Sequence, residues 1–302
     1  MIRQILTTTD FSQESRTGVH YAIALAEKLK ATVALLHVLE PLPTLAGMEA
    51  VPILTSDLES KANAELKTFA KRQGESRFAL TSLLRTGKAF HEITAAADER
   101  AADLIVMATH GYTGVSHVLL GSTAERVVRH ASCPVLTVPV PNTTKQIRKT
   151  RPLKLTRLLV PIDFSIISKD ALPWAAFLAA RFKAEMILLH VVEKFPIDYL
   201  LGPELMNQAI TPLMKQAEVD LQAMAQSLSN STGVKASGVV RDGTPHKEIC
   251  QMAKELRADL IVLTTHGYTG LKHVWLGSTA ERVARHAICP VLTVRGLNRT
   301  KV

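Results

Sequence analysis

The sequence has few cysteines, few aromatic residues and no long apolar run, and each shortage excludes a class of protein. Three cysteines without a CxxC pair cannot build a disulfide framework. No apolar stretch reaches the ~18–20 residues of a membrane-spanning helix, and the amino-terminal segment lacks the apolar core of a signal peptide. Aromatic residues make up only 5% of the chain. We therefore expect a cytoplasmic, globular protein that has no membrane partner.

The sequence also lacks the short motifs of common enzymes. It contains no GxxxxGK[ST] phosphate loop, no GxGxxG after a strand and no GxSxG nucleophile turn. His110 and His117 lie across a loop without a nearby cysteine or pair of carboxylates, so we predict no metal site. We assign no catalytic residue.

The net charge of +9 raises the question of a nucleic-acid partner. Much of the positive excess lies in residues 143–154 and after residue 294, which are positions typical of solvated linkers and chain ends. The sequence has no helix-turn-helix, zinc-finger or aromatic RNA-binding motif. We therefore expect no nucleic-acid partner and favour small molecules that carry phosphate.

An internal repeat covers nearly the whole chain. Leu104–Val138 and Leu260–Val294 are identical at 28 of 35 positions. Three shorter pairs recur in the same order, namely Ile5–Ser12 with Leu158–Ser165, Val33–Glu40 with Met186–Glu193, and Leu83–Ile93 with Val239–Ile249. We predict two domains, residues 1–141 and 155–302, joined by a basic linker at residues 142–154.

The hydrophobic pattern of each domain alternates between strands and helices. In the first copy, continuous apolar runs at Thr32–Val38 and Leu104–Ala108 predict strands that are covered on both faces. Helical spacing covers Phe11–Lys30 and Ser122–Ala131, and Pro134–Val138 is the last strand. This alternation predicts an α/β fold in which each of two repeated, doubly wound domains has a five-stranded parallel sheet flanked by helices, as in Rossmann-like proteins.

Three repeated polar segments follow predicted strands one, three and four, where such sheets bind their ligands. In the first copy they are residues 9–12, 85–87 and 109–123. The third segment ends in Gly121, Ser122 and Thr123, which open a helix. The free N–H groups and hydroxyls of that helix start favour a phosphate. The equivalent residues of the second copy are Gly277, Ser278 and Thr279.

These residues also have a purely structural interpretation. Ser122 and Glu125, like their counterparts in the second copy, have the spacing of a capping box. The near-identity of the loop in both copies favours ligand binding instead. For Asp10 and its counterpart Asp163 the same two interpretations apply, a helix cap or a ligand contact, because aspartate often caps a helix. Ser12 competes for that cap, so we expect the aspartate to face the cleft.

The segments PIDFS, LLHVVE and THG-x9-GST-x-ERV-x-RHA-x-CPVL resemble the universal stress protein family. The resemblance covers nearly the whole chain, as a tandem two-domain member. The nucleotide-binding branch of that family carries G-x2-G-x9-G-[ST], and both copies match its latter part. The first glycine of the motif is replaced by Ala108 in the first copy and by Thr264 in the second. The family's proline before the strand-one aspartate is kept as Pro161, whereas the first copy has Thr8.

The resemblance implies an adenine nucleotide alpha hydrolase-like fold and an adenine nucleotide as ligand, ATP or AMP, with or without Mg²⁺. It places the base near the strand-one loop and the second strand, and the phosphates on the Gly-Ser-Thr turn. The nucleotide-binding residues predicted for the first copy are Thr8, Asp10, Val38, Ala108, Thr109, His110, Gly111, Gly114, Gly121, Ser122 and Thr123. Those of the second copy are Pro161, Asp163, Val191, Thr264, Thr265, His266, Gly267, Gly270, Gly277, Ser278 and Thr279.

The resemblance further implies a stress-response protein that works as a binding or signalling module. It implies that the two domains pair through their last strands as a pseudo-dimer, with a further homodimer left open. Two alternatives remain: a scaffold that binds proteins but no nucleotide, and an enzyme that hydrolyses ATP slowly. Because Thr264 is bulkier than Ala108, we expect the first domain to bind nucleotide more tightly than the second.

Overall fold

The computed structural model describes residues 2–41, 52–72, 80–109, 120–140, 153–193, 198–265 and 277–296. For residues 52–56, 198–207 and 209 the backbone alone is described. The chain divides into two compact units, Met1–Leu153 and Lys154–Val302. Most of the predicted linker lies outside the described residues.

The first unit alternates strands and helices from end to end. Its elements are β1 (Gln4–Thr8), α1 (Gln13–Leu29), β2 (Thr32–Leu39), α2 (Pro52–Arg72), β3 (Leu80–Thr86), α3 (Ala89–Glu99), β4 (Leu104–Ala108), α4 (Ser122–His130) and β5 (Val135–Val138). The strand order is β3-β2-β1-β4-β5, and each neighbouring pair is parallel. The order reverses direction at β1, so this unit has its topological switch point between β1 and β4.

The second unit repeats this plan. Its elements are β6 (Arg157–Pro161), a short 3₁₀ helix (Ser168–Asp170), α5 (Ala171–Phe182), β7 (Glu185–Glu193), α6 (Asp198–Thr232), β8 (Ala236–Gly243), α7 (Pro245–Glu255), β9 (Leu260–Thr264), α8 (Ser278–His286) and β10 (Val291–Val294). The strand order is β10-β9-β6-β7-β8, again with parallel neighbours. The predicted α/β class, with a five-stranded parallel sheet in each domain, is therefore confirmed.

The buried strands and helix faces follow from the sequence pattern. Every residue of β4 and of β9 is buried, as expected for central strands with helices on both faces. In α1 the buried positions include Val19, Ala22, Ile23 and Ala26, which repeat at the three- and four-residue spacing of one helix face. Element boundaries differ from the predicted ones by one to three residues, because the ends of helices and strands depend on local capping.

The two copies differ at the start of the first helix. Helix α1 begins at Gln13, whereas α5 begins only at Ala171, after the 3₁₀ helix. Pro173 explains the delay, because a proline deep inside a helix removes one backbone hydrogen bond and clashes with the preceding turn. With α5 starting at Ala171, Pro173 lies in the first turn, where its missing N–H would have no partner in the helix.

Helix α6 spans 35 residues and is longer than its counterpart α2, which spans 21. Within the described part of the chain, no helix combines the length and the apolar character needed to cross a membrane.

Candidate functional site

The carboxyl ends of three strands and the starts of two helices enclose a cavity of about 340 Å³ in the second unit. It lies beside the topological switch point, where open α/β sheets usually bind ligands. Eight of the residues predicted to bind nucleotide line this cavity, namely Pro161, Asp163, Val191, Thr264, Thr265, Gly277, Ser278 and Thr279. The other three predicted residues of this copy, His266, Gly267 and Gly270, lie outside the described residues.

Further residues that the sequence analysis did not single out also line the cavity. They are Ile162, Ser168, Leu189, Glu193, Pro245, Ile249, Leu263 and Ala280. Strand periodicity offered a signal for some of them, because Leu189, Val191 and Glu193 are two residues apart and share one face of β7. The contribution of α7, through Pro245 and Ile249, depends on how that helix packs and has no comparable signal.

Hydrogen bonds of serine side chains hold the loop after the first strand of each unit. Ser12 is the N-cap of α1, and its Oγ accepts a hydrogen bond from the backbone N–H of Ser15 at 3.0 Å. Asp10 in turn accepts hydrogen bonds at Oδ1 from the N–H and the Oγ–H of Ser12, at 3.0 and 2.5 Å. The serine rather than the aspartate therefore caps the helix, as predicted, and the serine holds the aspartate in place.

The second unit repeats this arrangement. Oδ1 of Asp163 accepts from the N–H of Ser165 at 3.0 Å, and Oγ of Ser165 accepts from the N–H of Ser168 at 3.0 Å. Asp163 and Ser168 both line the cavity. The loop therefore presents a carboxylate and a hydroxyl-bearing residue to the cavity from a backbone that its own hydrogen bonds hold.

A histidine on the second strand supports this loop in both units. Nδ1 of His190 lies 2.8 Å from the carbonyl oxygen of Ile162, and the ring lies 4.6 Å from that of Phe164. A carbonyl oxygen only accepts, so Nδ1 carries the proton. Phe164 has a φ of 62°, a left-handed conformation that costs a non-glycine residue roughly 1–2 kcal/mol. The tilted ring contact and the hydrogen bond help to offset that cost.

The first unit has the same histidine support. Nδ1 of His37 lies 2.8 Å from the carbonyl oxygen of Thr9, and the ring of Phe11, which has a φ of 64°, contacts the His37 ring at a tilt, with the ring centres 4.3 Å apart. The repeat of His37 as His190 was visible in the sequence, but only the structure shows that the two histidines hold the strand-one loops.

The start of α8 forms one wall of the cavity. Gly277 is the N-cap, with φ −57° and ψ 137°, and Ser278 is the first helical residue. The first backbone bond of the helix runs from the N–H of Glu281 to the carbonyl of Gly277 at 3.0 Å. The N–H groups of the three intervening residues have no acceptor within an α-helix. They and the positive end of the helix dipole make this wall attractive to an anion.

The capping-box alternative is wrong in both copies. The N-cap residue is Gly121 or Gly277, which has no side chain to accept a hydrogen bond, and each serine stands one position too late to be the cap. Glu125 instead forms an ion pair with Arg129 at 2.8 Å, one helical turn along. The pair Glu281–Arg285 repeats this contact at 2.8 Å.

The backbone angles at this turn do not require glycine. Gly121 has φ −59° and Gly277 has φ −57°, angles that most residues adopt without strain. The turn is closed by backbone bonds from Gly121 N–H to Thr109 O at 2.8 Å and from Gly277 N–H to Thr265 O at 2.6 Å. The absence of a side chain at the cavity wall, rather than an unusual backbone angle, is what glycine supplies here.

The first unit places its predicted residues at the equivalent positions. Asp10 follows β1, Val38 lies on β2, and Ala108 ends β4. Thr109 is 7% exposed and accepts the Gly121 bond at its carbonyl. The remaining described members are Thr8, Ser122 and Thr123, whereas His110, Gly111 and Gly114 lie outside the described residues.

The cysteines have no reactive character. Cys289 is buried and Cys133 is half-buried, and desolvation raises the pKa of each thiol to about 12. Burial also raises the pKa of Cys250 to about 11. The thiolate is the nucleophile and metal ligand, so at neutral pH these side chains behave as small apolar groups. Within the described ranges, no three or more histidine, cysteine or acidic side chains are grouped so that they could hold a metal ion.

Comparisons with known proteins assign the family. The model of the universal stress protein family matches residues 1–139 and again residues 154–295. A universal stress protein of Methanocaldococcus jannaschii is 35% identical over 139 residues, 46% of this chain and 81% of the relative. One from Mycolicibacterium smegmatis is 28% identical over 298 residues, 96% of each chain.

A solved structure matches this chain over nearly its whole length. The crystal structure of a universal stress protein from Archaeoglobus fulgidus superposes with a TM-score of 0.71 at 23% identity, covering 97% of this chain and 98% of that one. At this level of identity the likeness concerns the fold. Together with the two family matches, it shows that this chain belongs to the universal stress protein family, as a member with two copies of the domain.

Proposed function

We propose that this stress-response protein binds an adenine nucleotide, ATP or AMP, in one or both of its domains and acts as a cytoplasmic binding or signalling module. The observation that carries the proposal is the polarity of the cavity in the second domain. One wall is the start of α8 at Gly277 and Ser278, and two acidic residues, Asp163 and Glu193, line other parts of the cavity. A ligand with an anionic end and a hydrogen-bond-donating end matches these walls.

The size and lining of the cavity support a nucleotide. Its volume of about 340 Å³ falls within the ~300–1,000 Å³ of typical small-molecule sites. Leu189, Val191 and Ile249 give it an apolar floor on which a base can pack. The phosphates occupy the helix start, where several N–H groups converge. Mg²⁺ enters the proposal only as the companion of ATP, since phosphate oxygens and a carboxylate such as that of Asp163 are ligands that it prefers.

The direct test is the ligand that the protein retains. The full chain is purified without added nucleotide, and the material released on denaturation is identified by mass spectrometry. Calorimetric titration with ATP and AMP follows. Retained nucleotide, or a measurable dissociation constant, supports the proposal. Protein that retains no nucleotide and binds neither ATP nor AMP contradicts it.

The second candidate is a scaffold that binds proteins but no nucleotide. The observation that favours it is Thr264, whose β-branched side chain lines the cavity where the family motif has glycine. The calorimetric titration separates the two candidates, and a turnover assay with Mg²⁺ tests for slow ATP hydrolysis in the same samples.

We expect the two domains to differ in affinity. Thr264 is stiff about χ1 and brings two more heavy atoms to the site than Ala108. The first domain should therefore bind ATP several-fold more tightly, a difference on the order of 1 kcal/mol. Titration of the full chain resolves two classes of site, and Thr264→Ala should strengthen the weaker class. Equal ATP affinity of the two sites in the unmodified chain would contradict this ranking.

We further propose that the two domains pair through their last strands. The segments of β5 and β10 are both Val-Leu-Thr-Val, and each ends its own unit's strand order. An uncovered strand edge exposes unpaired backbone groups, and pairing two equivalent edges removes this liability. Amide hydrogen exchange at residues 135–138 and 291–294 should then be slow in both segments. Rapid exchange of either would contradict the pairing.

A further inference from the structure

A glutamate lies at the carboxyl end of the second strand in each domain, directly after β2 as Glu40 and as the last residue of β7, Glu193. The first residue of the neighbouring helix differs between the copies. In the first domain, Oε1 of Glu40 accepts a hydrogen bond from the backbone N–H of Ala89 at 2.8 Å. Ala89 is the first residue of α3, and its N–H has no acceptor within the helix. The carboxylate of Glu40 is therefore occupied as a cap on α3.

The second domain cannot form this bond. Glu193 is the counterpart of Glu40, and the residue that corresponds to Ala89 is Pro245, the first residue of α7. Proline has no backbone N–H to donate. Glu193 and Pro245 both line the cavity. The Glu193 carboxylate forms no hydrogen bond or ion pair with any other residue that the structure describes.

A carboxylate at this place favours ligands that donate a hydrogen bond to it. When ionised it only accepts hydrogen bonds, and it repels phosphate. The start of α8 follows β9, which is separated from β7 by β6 in the sheet order. Neighbouring strands lie ~4.8 Å apart, so β7 lies roughly 10 Å from β9. That span matches the length from the phosphate of a nucleotide to its sugar hydroxyls or its base.

We infer that Glu193 is a specificity-determining residue of the second domain, where it accepts a hydrogen bond from the end of the ligand remote from the phosphate. The inference rests on the proposed nucleotide binding. Either the sugar hydroxyls or the exocyclic amine of the base supply the donor. Because Pro245 leaves Glu193 without the backbone partner that Glu40 has, this selection belongs to the second domain alone.

The test compares ligands that differ in one donor. The full chain is titrated with ATP, with its 2′-deoxy and 3′-deoxy analogues, and with inosine triphosphate, which lacks the exocyclic amine. In the unmodified protein, one class of site should bind at least one analogue about tenfold more weakly than ATP. Glu193→Ala should abolish that discrimination. Because Glu193 is exposed, this substitution should leave the far-ultraviolet circular dichroism unchanged.

Two further variants sharpen the comparison. Pro245→Ala restores the N–H that Glu40 uses in the first domain, so it should draw Glu193 onto α7 and reduce the discrimination. Glu40→Ala is the matched control, since its carboxylate is already bonded to Ala89, and it should leave the discrimination of the second site unchanged.

The outcomes separate this inference from the proposed function. If the unmodified chain binds no ATP, both fail. If ATP binds but no analogue is disfavoured, or if Glu193→Ala discriminates as the unmodified protein does, the inference about Glu193 is overturned and nucleotide binding stands.

Discussion

The full chain carrying Gly277→Val is expected to lose ATP binding in its second domain, with an affinity at least about a hundredfold lower, or ~3 kcal/mol. The valine side chain would project from the cavity wall beside the first N–H groups of α8, where the phosphate is proposed to lie. The backbone angles of Gly277, φ −57° and ψ 137°, are open to valine. We therefore expect the fold to be retained.

The matched control is Gly121→Val, the same substitution at the equivalent turn of the first domain. Each single variant should lose one of two classes of site in calorimetric titration, and the double variant should lose both. Circular dichroism and the unfolding midpoint report whether the fold is retained. Undiminished ATP affinity in the double variant would place the phosphate elsewhere.

The second large effect concerns stability. Gly18 packs α1 against the end of β4, and a Cβ at this position would lie 2.6 Å from the backbone nitrogen of Ala108 and 2.9 Å from the carbonyl carbon of Met107. Both are main-chain atoms, so no side-chain rotation relieves the overlap. We expect Gly18→Ala to destabilise the first domain by about 3 kcal/mol, at the upper end of the range for overpacked cores.

Urea unfolding of the full chain measures this loss, and hydrogen exchange assigns it to a domain. Peptides from residues 2–138 should exchange faster in the variant, and those from residues 157–294 should not. The counterpart of Gly18 is Ala171, the fully buried first residue of α5. Ala171→Gly is the control and should lower the free energy of unfolding by only about 1 kcal/mol, because it removes one methyl group. A Gly18→Ala variant as stable as the unmodified chain would show that α1 can shift without cost.

The same packing links stability to the candidate site. Ala108 is one of the residues predicted to bind nucleotide, and its backbone nitrogen is the atom that the added methyl group would approach most closely. A shift of α1 or of the end of β4 would therefore displace the loop that begins at Thr109. We expect any ATP binding by the first domain to weaken together with its stability.

The sequence alone predicted the fold of each domain and half of the residues that line the cavity. Continuous apolar runs at β4 and β9 can be buried only in a sheet with helices on both faces, and the repeat required every element to occur twice. Because parallel strands present their carboxyl ends at one edge, the polar residues after β6 and β9 were expected to meet. The structure brings Asp163, Thr265 and Gly277 to one cavity, while their role in binding remains a prediction.

A local sequence pattern can suggest a structural role that the fold does not use, and the Ser-x-x-Glu spacing at the start of α8 is an example. Ser278 and Glu281 fit a capping box, yet the helix begins one residue earlier than that motif requires, so Gly277 is the cap and Glu281 pairs with Arg285. A shift of one residue at a helix end is set by the loop that enters it. Here the N–H of Gly277 is bonded to the carbonyl oxygen of Thr265, a residue that is not its near neighbour in the sequence.

Contacts between distant segments were decided by the tertiary structure. Glu40 and Ala89 are far apart in sequence, and their hydrogen bond exists because the end of β2 lies beside the start of α3. The sequence shows that Pro245 replaces Ala89, but only the fold shows that this proline and Glu193 line the same cavity. Periodicity specifies which face of an element is buried, because that depends on near neighbours along the chain. Which elements face each other depends on how the whole sheet is assembled, and that assembly gives Glu193 its surroundings.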